Sequence, residues 1–160
     1  MEKLFIVCVD DQREVLSALS EDLQEFEEHL TLEECESAQE AWDVIEDVDS
    51  AGDYLPVVIS DHVMPGKTGV ELLSEIHADG RFPNTQKMLL TGLATHKDTI
   101  DAINSAELDY YIEKPWTKSK LHEAVKELIT KFVLKSGIDY EPYLEILDQE
   151  KLYEGLRKRT

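Results

Sequence analysis

Short, uniformly apolar runs alternate along the chain with longer stretches whose apolar residues recur at helical spacing. Leu4-Phe5-Ile6-Val7-Cys8-Val9 is apolar on both faces, as a central strand of a parallel sheet must be. Val15, Leu16, Leu19, Leu23 and Phe26 then share one helical face. Leu30 to Cys35 alternates and carries Glu33 and Glu34, which predicts an edge strand guarded by charge. Ala38, Ala41, Trp42, Ile45 and Val48 predict a second helix, with Trp42 in core packing, and Gly52-Asp53 breaks the chain after it. The third strand is Val57-Val58-Ile59, its start punctuated by Pro56. A loop with Pro65 and Gly66 follows, then Gly69 and a helix carrying Val70, Leu72, Leu73 and Ile76 that ends near Ala78.

Asp79 to Gln86 is polar and predicts a loop, and Lys87-Met88-Leu89-Leu90 a fourth strand ending at Thr91-Gly92. A weaker helix spans about His96 to Asn104, and a fifth strand runs from Leu108 to Ile112. The fifth helix, about Thr117 to Val133, puts Leu121, Val125, Leu128 and Phe132 on one face. Strand–helix alternation with right-handed crossovers predicts an α/β fold: a doubly wound, five-stranded parallel sheet of order 2-1-3-4-5, flavodoxin-like.

The polar residues at strand ends add chemistry to this frame. Strand one ends in Asp10-Asp11, strand three in Asp61, strand four in Thr91 and strand five in Glu113-Lys114-Pro115. Strands one and three flank the switch point of such a sheet, so Asp10, Asp11 and Asp61 are expected to converge there. A lone strand-end carboxylate could be a nucleophile, a metal ligand or a loop cap, and Asp10 or Asp11 could cap a helix. Three together repel one another and are costly to bury without a cation. Hard oxygen donors of this kind suit Mg²⁺, with Mn²⁺ or Ca²⁺ able to substitute. A carboxylate can also attack phosphorus, and Lys114 and Thr91 would then supply charge and a hydroxyl to the phosphoryl oxygens.

Composition narrows the partners. The formal charge of −19 argues against direct binding to nucleic acid or an anionic membrane, although solvated helix faces such as Glu25, Glu27 and Glu28 account for much of it. No apolar run approaches a membrane span and no signal peptide is recognisable, so a cytoplasmic protein is expected. Cys8 and Cys35 lie in strand-like stretches without CxxC spacing and read as reduced core thiols. The five histidines show neither HExxH nor paired spacing, so no zinc site is expected.

Over about residues 3–133 the chain resembles the receiver domain of two-component response regulators, of the chemotaxis-response-regulator type. The resemblance rests on Val9-Asp10-Asp11, Ser60-Asp61 with Met64-Pro65 and Gly69, Leu90-Thr91-Gly92, and Tyr111 three places before Lys114-Pro115. It implies that Asp61 accepts a phosphoryl group from a phosphohistidine on a sensor histidine kinase or phosphotransfer protein. It also implies that Asp10, Asp11, Asp61 and the backbone carbonyl of Val63 serve the Mg²⁺ site. Lys114 and Thr91 would contact the phosphoryl oxygens, with a cis Lys114-Pro115 bond, and Thr91 and Tyr111 would form a switch pair. The surface altered by the switch would be the helix at about 96–104, the fifth strand and the helix at 117–133. The chain would be a signalling switch rather than an enzyme acting on a separate substrate, catalysing only its own phosphorylation and dephosphorylation. Val63 and Leu93 lie where this family tunes access of hydrolytic water, and two apolar groups there are expected to lengthen the phosphorylated lifetime. His62 is expected to face solvent.

Two other function classes use a strand-end acid or this fold. A haloacid-dehalogenase-type phosphohydrolase would need a second Asp two residues after Asp61, where Val63 stands. A phosphate-independent pseudo-receiver, acting only as an interaction module, normally lacks one of the acids or the lysine, all of which are present here. Residues 1–134 form the expected receiver, and 135–160 a linker and helical extension. Lys135-Ser136-Gly137 reads as a helix stop. After Pro142, the residues Tyr143, Leu144, Ile146, Leu147, Leu152, Tyr153 and Leu156 predict one amphipathic helix ending in Arg157-Lys158-Arg159. Such a helix could pack on its own receiver, pair in a homodimer, or begin a downstream effector.

Overall fold

The computed structural model describes residues 2–92, 97, 104 and 107–158. Five strands, β1 (Leu4–Val9), β2 (Thr31–Cys35), β3 (Tyr54–Ser60), β4 (Gln86–Thr91) and β5 (Tyr110–Glu113), form one parallel sheet in the order β2-β1-β3-β4-β5. The α-helices whose bounds fall among the described residues are α1 (Arg13–Asp22), α2 (Ala38–Ser50), α3 (Gly69–Ala78), α4 (Lys118–Ser136) and α5 (Gln149–Lys158). The predicted helix at 96–104, and Leu93 with it, lie outside the described residues except at 97 and 104.

The two-residue period of the strands sorts the core into two layers. Ile6, Cys8, Val57, Ile59, Met88 and Leu90 face a layer built with Leu16 and Leu19 of α1 and Leu121, Val125, Leu128 and Phe132 of α4. Val7, Val9, Val58 and Leu89 face the other, with Ala41 and Ile45 of α2 and Leu72, Leu73 and Ile76 of α3. Helix starts are fixed locally. Ser37 and Thr117 cap α2 and α4, Thr68 and Glu71 form a reciprocal capping box on α3, and Gly137, at φ 74°, ends α4 in the left-handed region.

Several elements differ from the sequence expectation. Pro56 lies inside β3 rather than at its start. The register against β1 slips by one residue between Leu4–Tyr54 and Ile6–Val57, so Leu55 and Val57 face opposite layers and the proline occupies the irregularity. The first helix stops at Asp22, and Phe26 is delivered to the core by a separate 3₁₀ turn, Gln24–Glu28. β5 begins at Tyr110 because Asp109 is occupied in pinning β4: its carboxylate accepts the Lys87 amide at 2.8 Å and the buried Lys87 Nζ at 3.3 Å. Trp42 is only half-buried; its ring packs on the α2–α3 layer and its Nε1 donates to Glu75 at 2.8 Å.

The largest correction concerns the C-terminal segment, which is not one helix. Glu141–Ile146 forms a 3₁₀ turn, Leu147 is extended at φ −98°, ψ 155°, and α5 follows. Thr130 of α4 causes the break. Its buried hydroxyl, which donates to the Lys126 carbonyl, accepts the Asp148 amide at 2.8 Å, and the Asp148 carboxylate in turn accepts the amide of Lys151. Tyr143, Ile146, Leu147 and Leu152 join the α1–α4 layer, so the segment packs on its own chain. Gly155 sits so close to Leu134 that a Cβ there would lie 2.4 Å from a Leu134 methyl.

Candidate functional site

The site is assembled at the C-terminal edge of the sheet, where four strands run out. β1 and β3 are neighbours with Val9 opposite Ser60, and the Asp61 amide donates to the Val9 carbonyl at 2.9 Å. That register sets Asp10 beside Asp61. The Asp10 amide is held by the Cys35 carbonyl at 3.0 Å, and its Oδ1 accepts the Gln12 amide at 2.9 Å. Gln12, not an aspartate, occupies the N-cap position of α1, and no side chain caps it. The capping role open to Asp10 and Asp11 in the sequence is therefore not taken.

Lys114 arrives from the far side. Its amide donates to the Thr91 carbonyl at 3.2 Å, and the Lys114-Pro115 peptide is cis. Nζ lies 2.8 Å from Asp10 Oδ2 and 3.3 Å from Asp61 Oδ1, so one ammonium bridges acids from two strands. Oxygens of Asp10, Asp11 and Asp61 lie within 4.8 Å of one another. Asp10 and Asp61 are buried, while Asp11 is exposed at the mouth.

Burial pushes the Asp61 carboxyl above its ordinary range. Lys114 opposes the shift, Asp10 adds to it, and hydrogen bonds from Lys114 and the His62 amide offset part of it. Burial alone would weaken protonation of Lys114. The hydrogen bond and charge of Asp10, with the charge of Asp61, more than compensate and hold its pKa above that of a free lysine. Among the described residues, three acids against one cation leave the pocket short of positive charge, and an all-oxygen donor set can accept a hard divalent ion there.

The remaining predicted residues fall around this core. Thr91 is buried at the end of β4. Tyr111, paired with Leu89, is half-buried against the α2–α3 layer. Val63 is in the loop after Asp61, its side chain 53% exposed. His62 departs from expectation: it is half-buried, and its Nδ1 is enclosed without a hydrogen-bond partner among the described residues.

Sequence reasoning missed the role of Gly69. Its amide donates to the His62 carbonyl at 2.9 Å, and a Cβ there would stand 1.9 Å from the Asp61 carbonyl oxygen and 2.9 Å from Ser60 Oγ. The loop can close over Asp61 only because residue 69 has no side chain. Ser60 secures the same turn, its hydroxyl donating to the Asp61 carbonyl at 2.9 Å. No periodicity signals either contact; only the G at a strand-to-helix turn hinted at close approach.

Comparison with known proteins gives the chain a family. Hydrogenase transcriptional regulatory protein HoxA of Cupriavidus necator is 31% identical over 124 residues, covering 78% of this chain and 24% of that protein. Response regulator Rre1 of Synechocystis is 29% identical over 134 residues, covering 81% of this chain and 53% of its own length. The chain thus spans about a quarter of HoxA and about half of Rre1. Among solved structures, the signal receiver domain of an HD domain-containing protein from Pseudomonas fluorescens Pf-5 superposes with a TM-score of 0.74 at 28% identity, covering 86% of this chain and 94% of that one. The family profile of the response regulator receiver domain matches residues 6–126, from the first strand well into α4, and the chain belongs to that family.

Proposed function

We propose that this receiver is a phosphorylation switch in which Asp61 accepts a phosphoryl group from a phosphohistidine of a sensor histidine kinase or phosphotransfer protein. The observation that carries the reading is the Lys114 ammonium, held 2.8 Å from Asp10 and 3.3 Å from Asp61, with Asp11 completing a triad of acids. A pseudo-receiver has no need of that complete set.

An Asp61 carboxylate oxygen attacks phosphorus, the P–N bond to the donor imidazole breaks, and the imidazole leaves with the bonding pair and takes up a proton. Asp61 becomes an acyl phosphate. Lys114 and Thr91 receive the phosphoryl oxygens, and Lys114 shifts from carboxylate pairing to phosphate pairing as the Asp61 oxygen is consumed. Asp10, Asp11, Asp61 and the Val63 carbonyl are the groups that would hold Mg²⁺, which when bound supplies the positive charge the acids lack. Attack of water on the acyl phosphate returns Asp61 and inorganic phosphate, and the apolar side chain of Val63 slows that step. Thr91 and Tyr111 transmit occupancy of the site to β5 and α4, the partner-facing surface. Residues 1–134 act as the receiver and 135–160 as an extension of it, in a cytoplasmic signalling protein.

The test is incubation with a small phosphodonor and Mg²⁺, followed by intact-mass measurement. The wild-type chain gains one phosphoryl group and Asp61→Asn gains none. An equal gain in both, or none in either, would sink the assignment.

A further inference from the structure

The loop between β3 and α3 carries Val63, and its two stems are closed by local hydrogen bonds. The Asp61 amide is held by the Val9 carbonyl, the Gly69 amide by the His62 carbonyl, and Thr68 sits in the capping box with Glu71. Between those stems runs an arc from Val63 to Lys67. Met64 anchors it in the α2–α3 layer, but Val63, Pro65 and Gly66 are exposed, and Gly66 turns through the left-handed region at φ 78°.

The far end of this arc is tethered. The Lys67 ammonium pairs with Glu75 Oε2 on α3, eight residues on. The other oxygen of the same carboxylate, Oε1, accepts the indole N–H of Trp42 on α2 at 2.8 Å. Trp42 is itself fixed, its ring packed on the α2–α3 layer with the Phe82 ring centred 6.5 Å away. A glutamate on a helix surface ordinarily keeps its rotamer freedom. Glu75 gives up that freedom because two elements engage its two oxygens, one a packed indole and the other the loop.

We infer, on the reading that the Val63 carbonyl serves Mg²⁺, that Glu75 is a positioning residue: oriented by Trp42, it acts through Lys67 to hold the arc with that carbonyl toward the acids. The sign of its effect separates positioning from charge. Lys67 is a cation on the loop that borders an acidic pocket, so through-space electrostatics alone would have its removal tighten Mg²⁺ binding and removal of the Glu75 charge weaken it. Positioning requires both losses to weaken binding, because either one frees the arc.

The experiment is titration of Mg²⁺ into the full chain, followed by the amide resonances of Asp11 and Val63. Saturable shifts of both are expected in the wild-type chain. Lys67→Met and Glu75→Gln are each expected to weaken the affinity by about threefold, the scale of one half-exposed ion pair. The double variant is expected to weaken it no further than either single one, and Lys67→Arg, which keeps the tether, to bind as wild type does. Arg81→Met removes ion pairs with Glu46 and Asp79 at the opposite end of α3 and serves as the control for general loosening; its affinity is expected to stay at the wild-type value. Tighter or unchanged binding in Lys67→Met, unchanged binding in Glu75→Gln, or equal weakening in Arg81→Met would overturn the positioning role and leave the metal assignment standing. A wild-type chain with no Mg²⁺-dependent shift at Asp11 or Val63 would overturn the metal assignment, and the positioning role with it.

Discussion

At the scale of single residues, the site depends on side chains held where their chemistry is costly. Asp61 is the clearest case, since burial raises its carboxyl pKa above the unfolded value. A raised carboxyl contributes stability that is complete below the unfolded pKa and is lost as pH rises through the folded one. In metal-free buffer, the stability advantage of Asp61→Asn over wild type should therefore grow from acid to neutral pH and then level off. Denaturant unfolding across that range measures it, and a difference that shrinks with rising pH would contradict the assignment of strain to Asp61. Gly69 makes the steric counterpart. Because a Cβ would meet the Asp61 carbonyl at 1.9 Å, Gly69→Ala should cost at least about 2 kcal/mol of stability by the same measurement. The acids, the lysine and the threonine were legible in the sequence as polar letters ending apolar runs. Gly69's close approach and the enclosed Nδ1 of His62 were not, because both depend on where a loop returns in space. The thiols follow the sequence reading: burial pushes both Cys8 and Cys35 up to about 12, which makes them poor nucleophiles.

Among the elements, those with a strong period of two or 3.6 were legible, and their ends were not. β1, β3 and β4 and helices α2 to α4 stand close to where the pattern puts them, because each buries an uninterrupted apolar face, and β2 lies where its alternation with Glu33 and Glu34 puts an edge strand. The C-terminal extension misled for an opposite reason. Its leucines keep helical spacing, yet a hydrogen bond from the Asp148 amide to Thr130 on a different helix outweighs continuation through Leu147. Docking of this element rests on buried Tyr143, Ile146, Leu147 and Leu152, with an ion pair from Lys151 to Glu127 at its rim. Leu152→Ala should weaken docking by about 2–5 kcal/mol, capped by the docking energy itself. The expected readout is faster amide exchange in α5 with exchange of β1, β3 and β4 unchanged. Uniform acceleration throughout the chain would mean instead that the extension and the sheet unfold as one unit.

For the molecule as a whole, topology turns distant letters into a site. The order β2-β1-β3-β4-β5 brings together the ends of β1, β3, β4 and β5 and leaves the charged edge strand β2 out of the pocket, as the strand-end residues foretell. Asp10, Asp11 and Asp61 share one volume with Lys114, a local excess of acid within a chain whose formal charge is −19. A divalent ion that binds only the folded arrangement must stabilise it. Mg²⁺ should therefore raise the melting temperature, and Asp11→Asn should blunt that response; identical shifts in both proteins would place the ion elsewhere.

The most direct measurement locates the phosphoryl group. After reaction with a phosphodonor and Mg²⁺, borohydride reduction converts an aspartyl phosphate to homoserine, which peptide mass mapping assigns to a position. The expected result is homoserine at residue 61 and at no other aspartate, with its yield much reduced in a Lys114→Gln chain. Homoserine at Asp10 or Asp11, or a phosphoryl group that withstands borohydride on a histidine or hydroxyl side chain, would contradict the account.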